Sequence, residues 1–181
     1  MKKNLLFAVL TTLVFTVNLS AQTSATVTNT AASADLIVAM TLTQTSPLSF
    51  GSSVLTSSAG GTVELPSNST TRVYTGGTAT SAATPAPTNA GYNVTGTGLE
   101  TYAVTLPTTT TVTHTSIISG VYTMNITLMK ARFNGAAADA ITSTLAADGT
   151  DSFTLGGTLT VQANQVGGQY AGTFQVSIDY N

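Results

Sequence analysis

The chain has no cysteine, no tryptophan, a single histidine and only 7% charged residues among its 181. Each shortage removes a class of explanation. Without cysteine there is no disulfide staple, so stability has to come from buried apolar surface or from a partner. Five Lys and Arg residues against seven Asp and Glu form no basic footprint, which sets nucleic acid aside as a partner. Ordinary globular chains carry about 25% charge; here Thr and Ser take over the surface, and weak mutual repulsion leaves self-association little opposed. His114 has no neighbouring carboxylate in sequence and no nucleophile elbow accompanies it, so it reads as a surface residue of a Thr-rich strand rather than a catalytic base. Helix-forming sequence is equally scarce: only residues 135–142, rich in Ala, suggest a turn or two. Nothing here points to a reaction, and no cofactor or metal motif is found.

What is present begins with a leader. Lys2 and Lys3 precede an apolar run over residues 5–17, and Leu19, Ser20 and Ala21 supply a small-residue cleavage site before Gln22. This is the pattern of a secretory signal peptide over residues 1–21, and the run is shorter than the roughly 20 apolar residues of a spanning helix. The expectation is export through the inner membrane, with no transmembrane anchor after cleavage and a cell-surface or extracellular destination. Removal of the leader leaves Arg72, Lys130 and Arg132 against seven carboxylates, a net charge of −4.

Residues 22–35 form a Thr, Ser and Ala tail expected to be mobile or extended along a partner; residues 36–181 are expected to fold as one domain. Alternation of apolar and polar side chains predicts strands over 36–43, 62–65, 71–75, 92–95, 101–106, 121–128 and 152–155, with turn residues between them. The Thr run at 108–115 is read as an exposed strand because threonine is β-branched. Along 121–128 the alternation places Tyr122, Met124, Ile126 and Leu128 on one face. The end of the chain alternates most regularly, with Tyr170, Gly172, Phe174, Val176, Ile178 and Tyr180 on one side. Leu159 and Val161 precede it, and the turn residues at 163–168 predict a terminal hairpin. The sum is an all-β, antiparallel two-sheet sandwich.

Three pieces in this order carry a resemblance: Thr-Val-Glu-Leu-Pro-Ser-Asn-Ser-Thr-Thr-Arg-Val-Tyr-Thr-Gly-Gly at 62–77, Tyr-Ala-Val-Thr-Leu-Pro at 102–107, and Gly-Thr-Leu-Thr-Val at 157–161 followed by the 170–181 ending. Together they resemble the bacterial domain of unknown function family 4402, which is similar to pilin subunits of the chaperone and usher type, including the spore-coat U-like branch. Tyr180 stands next to last and Gly168 fourteen places from the end, as in those pilins. The resemblance implies an immunoglobulin-like sandwich lacking one strand, with an open groove beside Gly172, Phe174, Val176, Ile178 and Tyr180. A periplasmic chaperone fills that groove first, at an outer-membrane usher, and the tail of the next subunit fills it afterwards. The donor is placed at Ala25 and Val27, extending through Leu36 and Val38 or lacking altogether, because the tail has few large apolar residues.

Other candidates have plainer readings. Asp148, Gly149 and Asp151 lack the donor spacing of a calcium loop and read as a turn. Glu64 and Glu100 read as ordinary strand-end carboxylates rather than an acid and base pair. The tyrosines and phenylalanines fall within alternating runs and read as core rather than a sugar-stacking patch. The expected function is a non-enzymatic, pilin-like surface subunit assembling by strand exchange; the alternative is a self-contained adhesin-like sandwich that binds a glycan or host molecule.

Overall fold

A computed structural model describes residues 29–55, 58–76 and 84–181. The chain divides into residues 1–35 and 36–181. Of the first unit only residues 29–35 are described; they are exposed and carry no regular structure, and the expected leader at 1–21 and the donor candidates Ala25 and Val27 lie outside the described residues.

The second unit is all β. Its strands are β1 Thr41–Ser46, β2 Gly61–Leu65, β3 Val73–Gly76, β4 Ala90–Thr95, β5 Thr101–Thr105, β6 Thr109–His114, β7 Thr123–Phe133, β8 Thr142–Thr144, β9 Thr150–Val161, β10 Tyr170–Ala171 and β11 Ser177–Tyr180. They form an eight-stranded sheet, ordered β1-β4-β9-β7-β6-β10 with β2 and β3 attached through β9, and a three-stranded sheet ordered β11-β5-β8. All pairings are antiparallel. The fold class is the expected all-β, sandwich-like one, and the Thr run does form a strand, β6. The Ala-rich stretch at 135–142 forms no helix.

The larger sheet is built on β9. One edge of it pairs with β7 along most of its length; the other pairs with β4 over residues 150–155 and with β2 over residues 157–161. Two strands thus meet end to end against a third, and Gly156 lies at the joint. A Cβ there would fall on the Leu65 carbonyl oxygen and lie 2.5 Å from the Ser67 nitrogen, so the close approach of the 65–67 backbone requires glycine. The Asn89 amide stitches the joint by donating to the carbonyls of Pro66 (2.7 Å) and Leu155 (3.2 Å), and the Thr154 hydroxyl donates to the Ser67 carbonyl at 2.6 Å.

Two sequence expectations are corrected here. The terminal hairpin does not form: residues 157–161 pair with β2 and β7, while the ending pairs first with β6 through β10 and then with β5 through β11, in the other sheet. Leu128 leaves the apolar face of β7. Residues 128 and 129 together stand opposite Gly157, a two-for-one bulge in which Leu128 takes a φ of 50° and is 67% exposed. Met129, not Leu128, continues inward to the core.

That core has two parts. In one, Ala90, Tyr92, Val94, Phe133, Phe153 and Leu155 of the larger sheet face Tyr102 and Val104 of β5, with Ile178 and Tyr180 of β11 packed alongside. A polar tie joins the two sheets there: the Tyr102 hydroxyl donates to Asp151 Oδ2 (2.9 Å), which also accepts from Ser143 Oγ (2.6 Å). Burial first, and then the Asp151 carboxylate, push the Tyr102 phenol well above the usual range, so it stays a donor. In the other part, Val63, Leu65, Met124, Ile126, Leu159 and Val161 pack with Phe50. Among the described residues, none of β5, β8 or β11 joins this second part. The smaller sheet covers half of the larger one.

Candidate functional site, an open apolar groove

The half that the smaller sheet leaves uncovered carries a groove of about 650 Å³. Its floor is the inward face of the larger sheet, with Val112 of β6, Met124 and Ile126 of β7, and Leu159 and Val161 of β9. Strand alternation puts these side chains on one face, and the strand-to-strand register brings them abreast: Val112 stands opposite Met124, and Ile126 opposite Leu159.

One wall is the segment 48–54. Ser49 forms an isolated bridge with Thr88, with 2.9 Å hydrogen bonds in both directions. The Arg72 guanidinium donates to the carbonyls of Phe50 (2.8 Å) and Ser52 (2.7 Å) while lying over the Tyr74 ring. A cation thus anchors an apolar lip by its backbone, leaving the Phe50 ring for the core.

The other wall is the ending of the chain. Tyr170 and Ala171 pair with His114 and Thr113, and Ser177 to Tyr180 pair with β5, but residues 172–176 between them form no ladder. Gly172 and Phe174 line the groove. Val176, Ile178 and Tyr180 pack against the first part of the core instead, as does Phe174. The five residues proposed from sequence for this strand are therefore divided: two face the groove, and the other three belong to the closed half.

The sequence donor candidates Leu36 and Val38 precede β1 and are in no strand, so the strand expected over 36–43 begins only at Thr41. Leu36, Ile37 and Val38 are 82%, 56% and 64% exposed. Val38 is fastened by its backbone, its nitrogen donating to Thr97 Oγ1 (2.6 Å) and its carbonyl accepting from the Tyr180 hydroxyl (2.7 Å).

Among the remaining candidates, His114 is buried, not a surface residue. Sequence reasoning missed it because its strand is mostly threonine, with Val112 as its one large apolar residue; its position opposite Tyr170 reveals the burial. Asp148 Oδ1 accepts from the Thr150 nitrogen and hydroxyl, the expected turn, and these bonds hold its carboxyl below the usual range. Glu64 sits on β2 of the larger sheet and Glu100 just ahead of β5 of the smaller one.

The chain matches, over residues 40–180, the family described as Domain of unknown function (DUF4402). It belongs to that family. The matched span runs from the residue before β1 to the last residue of β11, so the DUF4402 domain takes in both sheets, both parts of the core and the groove. No curated protein and no solved structure matches the chain.

Proposed function

We propose that this DUF4402 protein is an exported, pilin-like structural subunit that assembles on the cell surface by strand exchange, with a periplasmic chaperone and an outer-membrane usher as transient partners. The observation that carries the reading is the half-covered sandwich: an apolar floor lies open beside a segment, 172–176, whose backbone forms no ladder. An extended strand laid in the groove buries that floor and pairs with that backbone, the two gains that make strand addition favourable. The occupant is the region 22–40 of a second copy, supported by its position ahead of β1 and by the exposed apolar Leu36, Ile37 and Val38.

The test separates donor from acceptor. Deleting residues 22–37, which keeps the Val38 backbone bonds, should leave a folded monomer that accepts a strand and cannot donate one; Val112→Trp, which fills the groove from β6, should leave one that donates and cannot accept. Mixing the two should give dimers on size exclusion, and neither alone should polymerise. Filaments from either variant alone defeat the proposal.

An adhesin-like alternative draws on a second hollow of about 380 Å³ on the larger sheet, lined by polar Asn93, Arg132, Ser152 and Thr154 together with Tyr92 and Phe153. It predicts a stable monomer that binds saccharide with the groove filled by Val112→Trp.

A further inference from the structure

The pairing of β1 with β4 stops at Thr41 opposite Thr95, yet the backbone is tied again three residues further out. At Val38 side chains take the place of the missing strand. The Val38 nitrogen donates to Thr97 Oγ1 (2.6 Å), the Thr97 nitrogen donates to the Tyr180 hydroxyl (2.7 Å), and that hydroxyl donates to the Val38 carbonyl (2.7 Å). The three bonds close a ring in which the phenol oxygen alone both accepts and donates. Room for it depends on Gly96, where a Cβ would fall on that oxygen. The Tyr180 ring packs against the first part of the core, so its hydroxyl is held in place from behind.

This clasp uses both backbone groups of Val38, as one edge of a ladder would. Among the described residues, no hydrogen bond reaches the backbone of Leu36 or Ile37. Leu36 and Val38 continue the alternation of Met40 and Leu42, which pack on the core, but they lie beyond it and are exposed. A short apolar segment is therefore fixed at one end with open backbone ahead of it. Side chains two apart on an extended chain recur about every 6.6 Å, twice the strand rise. The groove floor has the same repeat, since Met124 and Ile126 are two apart on β7, and Leu159 and Val161 two apart on β9. Leu36 and Val38 fit those two rows; Ala25 and Val27 share the spacing with less apolar surface to bury.

We infer that Tyr180 is a positioning residue for strand donation: its hydroxyl sets the chain at Val38 so that Leu36 and Val38 are presented to the two rows of a second copy's groove. Ordering a free chain costs conformational entropy at the moment of binding, and a segment ordered beforehand is spared that cost. The inference rests on the strand-exchange reading and adds to it the side chains that enter the groove and the group that presents them.

The experiment uses the donor and acceptor chains of the strand-exchange test, Val112→Trp as donor and the chain lacking 22–37 as acceptor, titrated against each other by analytical ultracentrifugation. Tyr180→Phe removes one oxygen and keeps the ring in the core. In the donor it should weaken the dimer about tenfold, the worth of one residue's backbone freedom. In the acceptor it should change nothing, whereas a general loss of packing would act in both. Leu36→Ser in the donor should weaken the dimer about tenfold or more, and Ile37→Ser, on the other face, less than about threefold. Native or tighter binding by the Tyr180→Phe donor, or an equal loss in donor and acceptor, overturns the role of Tyr180. Equal losses at Leu36 and Ile37 overturn the face assigned to the groove. A synthetic 22–40 peptide carries no clasp, so its uptake by the acceptor tests the groove alone, and it should bind more weakly than the donor chain. A peptide that binds beside an indifferent Tyr180→Phe donor leaves strand exchange standing without the clasp; if neither peptide nor donor binds, both fall.

Discussion

Asp139 shows how a lone carboxylate is used in a chain with so few charges. It accepts from the Ser67 hydroxyl and from Arg132 Nε, the latter at 2.9 Å, and so ties the 137–139 turn to the joint beside Gly156. Burial alone would raise its pKa, but the Ser67 hydrogen bond and the Arg132 and Lys130 charges outweigh it, and the carboxyl lies below the usual range. The sign of the pH dependence follows. A depressed folded-state pKa contributes stability above the unfolded value of about 3.9, and that contribution is lost as pH falls through the folded value. Asp139→Asn should therefore be less stable at neutral pH by about 1 kcal/mol or less, the size of a partly exposed ion pair. Urea titrations should show that gap closing in acid. An unchanged gap at low pH would show that the substitution destabilises for a reason other than lost charge.

At the scale of elements, the strands were legible and their partners were not. Alternation marks a strand because side chains take opposite faces in turn, and β2, β4 and β5 all fall where that pattern places them, while β6 falls where the β-branched threonine run does. The pairing of residues 170–181 depends on β5 and β6, strands more than 50 residues earlier, and no local turn signal carries that information. Gly156 and Gly157 look like punctuation in the sequence, yet they lie inside the twelve-residue β9; at Gly156 the reason is the 65–67 backbone passing close by at the end of β2. Of the candidate site, the ending of the chain could be read as one wall; the segment 48–54 could not, since its place depends on Arg72 and on the Thr88 bridge. The bulge in β7 was hidden for a related reason, since one extra residue shifts the face without breaking the apolar run. This can be measured. Leu128→Asn puts a residue tolerant of positive φ at an exposed site, and its unfolding free energy should stay within about 0.5 kcal/mol of native. Ile126→Ala, two residues earlier and facing the core, should cost about 2–5 kcal/mol. Equal losses would mean that Leu128 is buried after all.

Taken as a whole, residues 36–181 are finished unequally. The part of the core around Tyr102 and Phe153 lies between two sheets and has the Asp151 tie across it; the part around Met124 and Leu159 has a sheet on one side and two lips on the other. Opening should therefore be cheaper on the groove side. Hydrogen exchange at neutral pH should show Val94 and Leu155 protected at least about tenfold more than Val112 and Tyr170, a difference of about 1.4 kcal/mol. Uniform protection would mean that the groove half is as firmly closed as the other. The position of β9 adds a constraint in time. Three strands made earlier, β2, β4 and β7, all rest against a spine whose last residue is Val161. A ribosome delivers the amino end first, so β1 with β4, β2 with β3 and β6 with β7 can form ribbons early, but β2, β4 and β7 keep an open edge until that late segment emerges. For this protein, guarding the unfinished chain during synthesis is a need imposed by topology.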